Sequence, residues 1–538
     1  MNTTMMHQPL SVSSIIRFAA ENHSDQQIVS QLSQGRTHRT NYAETHHRIA
    51  QLAHALRALG IGEGDVVGTI AWNSYRHFEL YYAIAGLGAV CHTINPRMGA
   101  ERLAWVLAHA QDKAVFFDPD FMSLVDGVAG ETQLVEHWVA LSANEEFGPA
   151  PQNIVPLNYE TLLCAQATSF DWPELDENTA CGLCYTSGTT GEPKGVCYSH
   201  RSTVLHAMAI CMTDVLGLSA METILPVVPM FHVNAWGLPY GAPMSGAKLV
   251  LPGARLDGES LANLIDQEQV TSAFGVPTVW LSLLDYLDKT GRQLPSLKRL
   301  VSGGSAVSAD MIQRYRDQYQ VGVINAWGMT ETSPVGTVNM PKPIHSQLNQ
   351  SQQDALALKQ GRGVYGLDMR VVDAEGKVLP RDGEAVGELQ VRGHWVTGNY
   401  LNREDNQMLT EDGWFPSGDI ASIDGEGYMH ITDRAKDMVK SGGEWISSIE
   451  VENAALSHPA VAQAAVIGVP HPKWLERPLL IVCLAEGHKT SAEDLQAFLG
   501  IKLEKWMVPD RVEFVETLPL GATGKIDKVS LRKLYCEV

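Results

Sequence analysis

Hydrophobic positions in the first part of the chain alternate between a helical and an extended period. The segment "YAETHHRIAQLAHALRALG" carries apolar residues at helical spacing, followed by a glycine that suits a helix C-terminus: Ile49, Leu52, Leu56, Leu59 and Gly60. "DVVGTIAWN" follows as a short buried strand, and "RHFELYYAIAGLGAVCHTINP" predicts a helix that leads into another strand. This order of strand, helix and strand predicts a parallel, doubly wound sheet.

The same alternation returns later and then changes character. "AKLVLPG", "TSAFGVP", "LKRLVSGGS" and "GVINAWG" predict further strands with helices between them. Near Asp373, "MRVVDAEGKVLPRDGEAVGELQVRG" predicts short strands with glycine turns, and therefore a small β-subdomain. After "GYMHITDRAKDMVKSGGEWIS" the pattern predicts a compact α+β unit. We therefore expect an α/β protein with a large N-terminal domain, residues 1–433, and a small C-terminal domain, residues 434–538.

Composition narrows the classes of function. A chain of 538 residues, 45% of them hydrophobic, can bury a large core. Its net charge of −21, from 40 basic and 61 acidic residues, argues against general nucleic-acid binding and against an anionic membrane surface. The N-terminus lacks a continuous apolar segment, and no apolar run approaches the about 18 residues of a membrane span. We expect a cytoplasmic enzyme.

Two of the cysteines form a CxxC motif. Cys181 and Cys184 could act as a redox pair or as half of a zinc site. No second CxxC and no nearby C-x-H supplies further ligands. Because both cysteines lie in the apolar run "ACGLCYTSG", we predict that they are half-buried residues of a strand.

The segment "YTSGTTGEPKGV", which begins at Tyr185, is too polar to serve packing alone. A glycine-rich turn with many hydroxyls, placed after a strand, offers N–H and O–H donors to an oxyanion. Lys194 adds a positive charge that suits phosphate. The motif is not a Walker A loop, because Gly195 follows the lysine where that loop has Ser or Thr. A solvated structural loop is the alternative.

Three further segments carry groups that suit a nucleotide. In "NAWGMTETSP", Trp327 can stack on a purine, Thr330 can bond a phosphate, and Glu331 can hold a divalent metal. "GWFPSGDI" supplies Asp419 for the ribose hydroxyls, and "DRAKDMVKSGGEWIS" supplies Arg434 beside a glycine pair. Taken singly, these could be a core indole, a surface carboxylate, a turn residue and an ion-pair partner.

Taken in order, these segments resemble the core motifs of the adenylate-forming (ANL) superfamily. That superfamily includes acyl-CoA synthetases, non-ribosomal adenylation domains and luciferases. The matching segments are "YTSGTTGEPKGV", "NAWGMTETSP", "GWFPSGDIA", "DRAKDMVKSGGEWISSIEVE" and "PLGATGKIDK". They span Tyr185 to Lys528, and "NYAETHHRIAQLAHAL" resembles the usual start of the fold. The chain departs from the pattern at Gly521, where relatives often carry a basic residue.

The resemblance implies two half-reactions that use ATP, Mg²⁺ and coenzyme A. A carboxylate is already a nucleophile, so its attack on the α-phosphate needs no general base, only positioning and charge stabilisation. The resemblance implies Lys525, Glu331 and Thr186 as the catalytic group. Lys525 would reach the carboxylate and the α-phosphate, whereas Glu331 and Thr186 would hold Mg²⁺. The products would be an acyl-adenylate and pyrophosphate, and then an acyl-CoA and AMP.

The nucleotide site implied by the resemblance has three parts. The phosphate loop wraps the pyrophosphate, a slot that includes Trp327 takes the adenine, and Asp419 and Arg434 take the ribose. The residues implied in ATP or AMP binding are Thr186, Ser187, Gly188, Thr189, Thr190, Gly191, Lys194, Gly303, Gly304, Ser305, Asn325, Ala326, Trp327, Gly328, Met329, Thr330, Asp419, Arg434 and Lys525.

For the second half-reaction, the resemblance implies that the mobile C-terminal domain swings about a hinge. The hinge lies two residues after the arginine of the DRxK segment, at Lys436, which could otherwise be an ordinary linker residue. The rotation would bring Gly442, Gly443, Glu444 and Trp445 to the site as the lining of a coenzyme A tunnel.

The acid itself is suggested by "PVVPMFHVNAWG", which resembles the segment that lines the acyl pocket. His232 would gate the pocket or serve a structural role, Trp236 would occupy its wall, and Gly303 and Pro334 would complete it. The segment carries no carboxylate for an α-amino group, which disfavours an amino-acid-activating domain.

Within the superfamily, the chain resembles medium-chain fatty-acid CoA ligases and the 3-methylmercaptopropionate CoA ligases of dimethylsulfoniopropionate breakdown. We therefore expect a short- or medium-chain acid as the substrate. We expect no nucleic-acid partner and no integral membrane segment, and the chain could assemble as a homodimer. The alternatives are an enzyme that loads an acyl carrier protein, an aryl-CoA ligase, a luciferase-like oxidase and a catalytically inactive nucleotide-binding homologue.

Overall fold

The computed structural model describes residues 4–132, 134–143, 151–186, 192–403, 408–441, 444–521 and 525–536. Its helices are α1 (Val12–Asn22), α2 (Tyr42–Ala58), α3 (Tyr75–Gly86), α4 (Ala100–Ala110), α5 (Met122–Ala129), α6 (Tyr159–Leu163), α7 (His200–Cys211), α8 (Val233–Trp236), α9 (Leu238–Ser245), α10 (Gly258–Glu268), α11 (Pro277–Thr290), α12 (Ala309–Tyr319), α13 (Gln350–Leu358), α14 (Ser448–Leu456), α15 (Ala492–Lys502) and α16 (Lys528–Cys536).

The strands follow the same chain order. They are β1 (Gln27–Gln31), β2 (Thr37–Asn41), β3 (Val66–Ile70), β4 (Val90–Thr93), β5 (Asp112–Phe117), β6 (His137–Ala140), β7 (Leu157–Asn158), β8 (Ala180–Tyr185), β9 (Gly195–Ser199), β10 (Thr223–Pro226), β11 (Lys248–Leu251), β12 (Ser272–Gly275), β13 (Arg299–Ser302), β14 (Gly322–Gly328), β15 (Val335–Val338), β16 (Gly361–Gly363), β17 (Leu367–Val372), β18 (Gly387–Gly393), β19 (Phe415–Ile423), β20 (Tyr428–Arg434), β21 (Val439–Ser441), β22 (Glu444–Ile446), β23 (Val461–His471), β24 (Leu475–Leu484) and β25 (Arg511–Phe514).

Helix α2 illustrates how the local sequence sets the element boundaries. The Asn41 side chain caps its N-terminus by accepting the Glu44 N–H at 2.8 Å. The apolar positions Ile49 and Leu52 are fully buried. The chain leaves the helix through Gly60, whose φ of +77° suits glycine. The predicted helix and its glycine terminus are confirmed.

The largest sheet joins a parallel half to an antiparallel half. Its strand order is β17-β18-β19-β20-β16-β15-β14-β13-β12-β10-β11-β1-β2. The pairs from β14 to β1 are parallel, and the pairs from β14 to β17 are antiparallel. The sequence predicted a small β-subdomain built from these antiparallel strands. In the structure they continue the parallel sheet through β14, because that strand has one partner of each kind.

The second sheet has the order β7-β6-β5-β3-β4-β8-β9, parallel except for the β8–β9 pair. Every residue of α3 is buried, and this helix contacts β1 of the largest sheet and β4 and β8 of the second sheet. A core between the two sheets therefore holds them face to face. The predicted doubly wound α/β fold is confirmed.

The last part of the chain forms its own small sheet. Strands β22-β21-β24-β23 lie in this order, and β25 pairs with β24 in parallel. Helices α14 and α15 cover it with a core that includes Val451, Val466 and Leu495. The predicted α+β unit is confirmed, whereas a domain boundary after residue 433 stays a prediction. No helix in the described ranges combines the length and apolar character that a membrane span needs.

Both cysteines of the CxxC motif are more deeply buried than predicted. Cys181 and Cys184 lie on β8, each with no more than 2% of its surface exposed, and both are free thiols. Their sulfur atoms lie 3.3 Å from the Thr203 hydroxyl and 3.0 Å from the Thr93 hydroxyl. Because the residues are three apart on a strand, they point to opposite faces, which suits packing and not a shared metal.

Candidate active site

Several predicted site residues lie at the carboxyl ends of parallel strands from both large sheets. Thr186 follows β8, and Gly303 follows β13. Asn325, Ala326, Trp327 and Gly328 form the end of β14, where the pairing with β15 contains a register shift. In open α/β sheets, crevices at this edge are the usual place for ligands.

Backbone and side-chain hydrogen bonds close the base of the phosphate loop. The Thr186 N–H donates to the Lys194 carbonyl at 2.9 Å, and the Lys194 N–H donates to the Thr186 hydroxyl at 3.3 Å. Ser187, Gly188, Thr189, Thr190 and Gly191 lie outside the described residues. The Lys194 ammonium lies 5.0 Å from the centroid of the Tyr400 ring.

Glu331 presents a buried carboxylate beside this loop. It lies in the 3₁₀ turn Thr330–Thr332 and is 6% exposed. Its Oε1 accepts a hydrogen bond from the Tyr400 hydroxyl at 2.7 Å. Burial raises the pKa of Glu331 above its ordinary value, although the Tyr400 hydrogen bond and the charges of Lys194 and Arg434 oppose that rise. A bound cation would relieve this burial penalty.

These groups fit Mg²⁺ better than a metal held by protein ligands alone. In the described part of the chain, no three His, Cys, Asp or Glu side chains gather into a metal cluster. Mg²⁺ usually binds one or two carboxylates and shares its other positions with water and substrate phosphates. Glu331 and the Thr186 hydroxyl, next to a phosphate loop, match that donor set.

A second group of contacts fixes the residues predicted around the adenosine. The Trp327 indole N–H donates to Asp419 Oδ2 at 2.8 Å, and the Arg434 guanidinium lies 3.4 Å from Asp419 Oδ1. Asp419 and Arg434 face each other in the β19–β20 ladder. Each carboxylate oxygen has a second lone pair, so Asp419 can still accept ribose hydroxyls. The Trp327 ring packs on Gly336, where an added Cβ would lie 2.4 Å from the ring.

Lys525 reaches this group from the C-terminal unit. A Cβ built on Gly304 would lie 2.9 Å from Cε and 3.4 Å from Nζ of Lys525, and the φ of +85° at Gly304 favours glycine there. Burial and then the charge of Arg434 lower the pKa of Lys525 to about 8; Asp419 opposes this shift, and Lys436 adds to it. A cluster of cations at this point suits a ligand with several negative charges.

Two of the residues predicted for the acyl pocket, Gly303 and Trp236, lie against each other. A Cβ on Gly303 would lie 3.1 Å from the Trp236 ring and 3.0 Å from the Ala326 carbonyl oxygen. Burial, together with the charge of Lys525, lowers the pKa of His232 to about 3, so this imidazole is neutral at physiological pH. Pro334 is buried, and its carbonyl accepts the Met329 N–H at 3.2 Å.

The backbone that carries Trp236 is wound left-handed. Val233, Asn234, Ala235 and Trp236 have φ values between 45° and 60°. Such a conformation costs about 1–2 kcal/mol per non-glycine residue. Part of the compensation comes from Asn234, whose Oδ1 accepts from the Tyr81 hydroxyl at 3.3 Å and from the Cys184 thiol at 3.5 Å. This turn aims the Trp236 indole at Gly303.

The remaining predicted residues lie around these groups. The Asn325 side chain donates to the Leu358 carbonyl at 3.1 Å. Ser305 follows β13 and is exposed. The Thr330 carbonyl accepts a hydrogen bond from the Tyr198 hydroxyl at 2.7 Å. Lys436 follows β20, and its carbonyl accepts from Arg532 at 3.3 Å. Partial desolvation of the Lys436 ammonium and the nearby charge of Arg434 lower the pKa of Lys436.

Two of the residues predicted for the coenzyme A tunnel, Glu444 and Trp445, lie in the described part of the C-terminal unit. Glu444 and Trp445 belong to β22, and the exposed Trp445 ring lies 4.8 Å from the Lys440 ammonium. Gly442 and Gly443 lie outside the described residues.

Sequence reasoning missed Tyr400 and Tyr198. Tyr400 contacts both Glu331 and Lys194, and Tyr198 anchors the turn that carries Glu331. The available signal was weak: "TGNYLN" contains a turn, and nothing in its composition indicates that its tyrosine reaches the site.

The family models now decide the identity at family level. The model described as AMP-binding enzyme matches residues 16–401, and the model described as AMP-binding enzyme C-terminal domain matches residues 450–525. The chain belongs to the AMP-binding enzyme family. This confirms the predicted superfamily and the two-part organisation, although neither match sets a boundary at residue 433.

Individual relatives agree over almost the full length. The chain is 51% identical over 529 residues to 3-methylmercaptopropionyl-CoA ligase of Ruegeria lacuscaerulensis, covering 98% of each chain. It is 47% identical to medium-chain-fatty-acid–CoA ligase of Ectopseudomonas oleovorans, over 99% of this chain and 97% of the relative. The structure of anthranilate CoA ligase AuaEII in complex with anthranoyl-AMP superposes with a TM-score of 0.88 at 25% identity, covering 99% of both chains. The prediction of an AMP-forming acid–thiol ligase that uses ATP, Mg²⁺ and coenzyme A is confirmed.

Proposed function

We propose that this AMP-binding family member activates a short- or medium-chain carboxylic acid, with 3-methylmercaptopropionate as the leading candidate. The position of Lys525 carries the assignment of the chemistry. Its ammonium lies above Gly304, in electrostatic range of Arg434, Asp419 and His232, where the nucleotide and acyl sides of the site meet. The relative from Ruegeria lacuscaerulensis, named for the methylmercapto acid, supports the choice of substrate.

In the first step, an oxygen of the substrate carboxylate attacks the α-phosphorus of ATP, and the bond to the β-phosphate breaks. Lys525 would hold both anions and stabilise the charge that develops between them. Lys194 and the loop closed by Thr186 would hold the β- and γ-phosphates. Asp419 and Arg434 would fix the ribose, with Trp327 holding the Asp419 side chain in place.

Glu331 and Thr186 would hold Mg²⁺, which when bound neutralises phosphate charge and lowers the repulsion that the carboxylate meets. Tyr400 keeps the Glu331 carboxylate in one orientation through its hydrogen bond. Two observations support these roles: the residues occupy the positions of the family motifs, and they make the contacts described for the site.

In the second step, the thiol of coenzyme A attacks the acyl carbonyl, AMP leaves, and the thiol proton passes to solvent. Lys525 occupies the space that a thiol would need, so the C-terminal unit must move. We assign the hinge to Lys436, between residues 1–433 and 434–538, and the tunnel to Gly442, Gly443, Glu444 and Trp445. The exposed ring of Trp445 is accessible to a ligand, which supports its assignment to the tunnel.

The acyl pocket would take a small, unbranched chain. The Trp236 indole lies against Gly303 and fills volume next to the position of the carboxylate. His232, which is neutral, would separate the acyl pocket from the path of the thiol without adding a charge. We also propose a cytoplasmic location and keep a homodimer as one assembly to test by light scattering.

A substrate screen tests the proposal. Pyrophosphate and AMP release are measured for straight-chain acids from acetate to dodecanoate, for 3-methylmercaptopropionate and for cinnamate, with and without coenzyme A. We expect kcat/KM to peak at the methylmercapto acid or at straight-chain acids of similar length. Pyrophosphate release without AMP release on addition of coenzyme A would instead favour loading of a carrier protein. A peak at cinnamate would favour an aryl-CoA ligase.

A further inference from the structure

Tyr400 is the one side chain, within the described ranges, that contacts both a carboxylate and an ammonium of the proposed ATP site. Its hydroxyl donates to Glu331 Oε1 at 2.7 Å, and its ring lies 5.0 Å from the Lys194 ammonium. A hydrogen bond to a carboxylate fixes that carboxylate in one orientation. An aromatic face attracts a cation without neutralising its charge.

The backbone on either side of Tyr400 is tied to the same two residues. We define the strap as residues 397–401. At one end, the Thr397 N–H donates to the Glu331 carbonyl at 2.8 Å. At the other end, the Leu401 N–H donates to the carbonyl of Gly195, the neighbour of Lys194, at 2.8 Å. The strap therefore fixes the distance between the metal-binding turn and the end of the phosphate loop.

Without Tyr400, Glu331 and Lys194 would be free to approach each other. They carry opposite charges, and both contact the same tyrosine side chain. A direct ion pair between them would occupy the carboxylate that Mg²⁺ needs and the ammonium that the phosphates need. The tyrosine contacts each group with a different part of its side chain.

We propose that Tyr400 is a positioning residue that keeps Glu331 and Lys194 apart, with its hydroxyl acting on Mg²⁺ binding and its ring acting on ATP binding. This inference rests on the proposed function and deepens it. Because the two contacts use different atoms, two substitutions separate them. Tyr400→Phe removes the hydroxyl and keeps the ring, whereas Tyr400→Ala removes both.

The test measures equilibrium binding of a fluorescent ATP analogue to the full chain, titrated with Mg²⁺ in the absence of acid and coenzyme A. For Tyr400→Phe we expect the Mg²⁺ concentration at half-saturation to rise about fivefold or more, since a hydrogen bond to a charged group is lost. Binding of the metal-free analogue should stay within about twofold of wild type. For Tyr400→Ala, metal-free binding should weaken as well, by about threefold or more.

Tyr315→Phe is the matched control. Tyr315 is a buried tyrosine whose hydroxyl donates to the Trp280 carbonyl at 2.6 Å, and it contacts neither Glu331 nor Lys194. Its Mg²⁺ midpoint should equal that of wild type. Circular dichroism of every variant reports whether the fold is retained.

Two results would overturn the inference: a Tyr400→Phe variant with the wild-type Mg²⁺ midpoint, or a Tyr400→Phe variant that weakens metal-free and metal-dependent binding by the same factor. The second result would indicate a purely structural tyrosine. If the wild-type protein itself binds no nucleotide, the proposed function fails instead. The two failures are therefore distinguishable.

Discussion

The phosphate side and the acyl side of the site are built by different means. On the phosphate side, charged side chains are held by hydrogen bonds to named partners, as for Glu331 with Tyr400 and Asp419 with Trp327. On the acyl side, the shape comes from a glycine, an indole and a left-handed turn, and the nearby imidazole of His232 is neutral.

This difference separates the chemistry from the selectivity. The reacting atoms are the same for every acid, so residues that bind them should affect all substrates alike. In the proposed pocket the acyl chain would meet mostly apolar volume, and its selectivity should therefore depend on size. Substitutions on the phosphate side should change rates without changing the ranking of acids, whereas substitutions on the acyl side should change the ranking.

The largest expected effect comes from Lys525→Ala. Loss of a charge that stabilises the transition state should slow adenylate formation by about 10²–10³, equally for short and long acids. Acid-dependent exchange of pyrophosphate into ATP measures this step. Thioester formation from supplied acyl-adenylate should be largely retained, as a control for folding. Near wild-type adenylation, or a loss confined to some acids, would contradict the assignment.

Trp236→Ala should change the ranking of substrates. Removing the indole opens volume beside Gly303, and each additional buried methylene contributes about 0.8 kcal/mol, so two or three carbons should shift selectivity about tenfold or more toward longer acids. Comparing kcat/KM for propionate, 3-methylmercaptopropionate, hexanoate and decanoate measures the shift. If a folded variant keeps the wild-type ranking, Trp236 does not line the pocket.

The smallest effect concerns pH. Because burial and Arg434 lower the pKa of Lys525 to about 8, the free enzyme loses this charge as the pH rises through that value. The kcat/KM for ATP in adenylation should fall about fivefold between pH 8 and pH 9, by the same factor for each acid. Lys525→Arg should move this limb to higher pH, since a guanidinium stays protonated. If the alkaline fall in kcat/KM occurred at a different pH for different acids, a group on the acyl side would be titrating instead.

Most of the fold was predictable because its signals are local. The spacing of Ile49 and Leu52 and the glycine after the helix specify α2, and the apolar runs specify the parallel strands. The continuity of the antiparallel strands with the parallel sheet was not predictable. It depends on the pairing of β14 with β15 and of β16 with β20, and hydrophobic periodicity carries no information about distant partners.

The candidate site was predictable where motifs carry charged or glycine residues, as with Lys525 above Gly304. The left-handed turn at Val233 and Ala235 was not, because neither residue favours a positive φ. Its conformation is imposed by tertiary contacts such as those of Asn234. Tyr400 was missed for a related reason, since only the folded strap brings it to Glu331.

The shared strand β14 has a consequence for how the protein folds. Its Asn325 pairs with Ser302 in the parallel half, and its next residue, Ala326, pairs with Val338 in the antiparallel half. The antiparallel half also needs Gly361 beside Met429, a contact between distant parts of the chain that is slow to form. The adenosine cleft is therefore expected to assemble late and to unfold together with both halves. A nucleotide present at a hundred times its Kd would then stabilise this whole cooperative unit by about 2.7 kcal/mol through mass action.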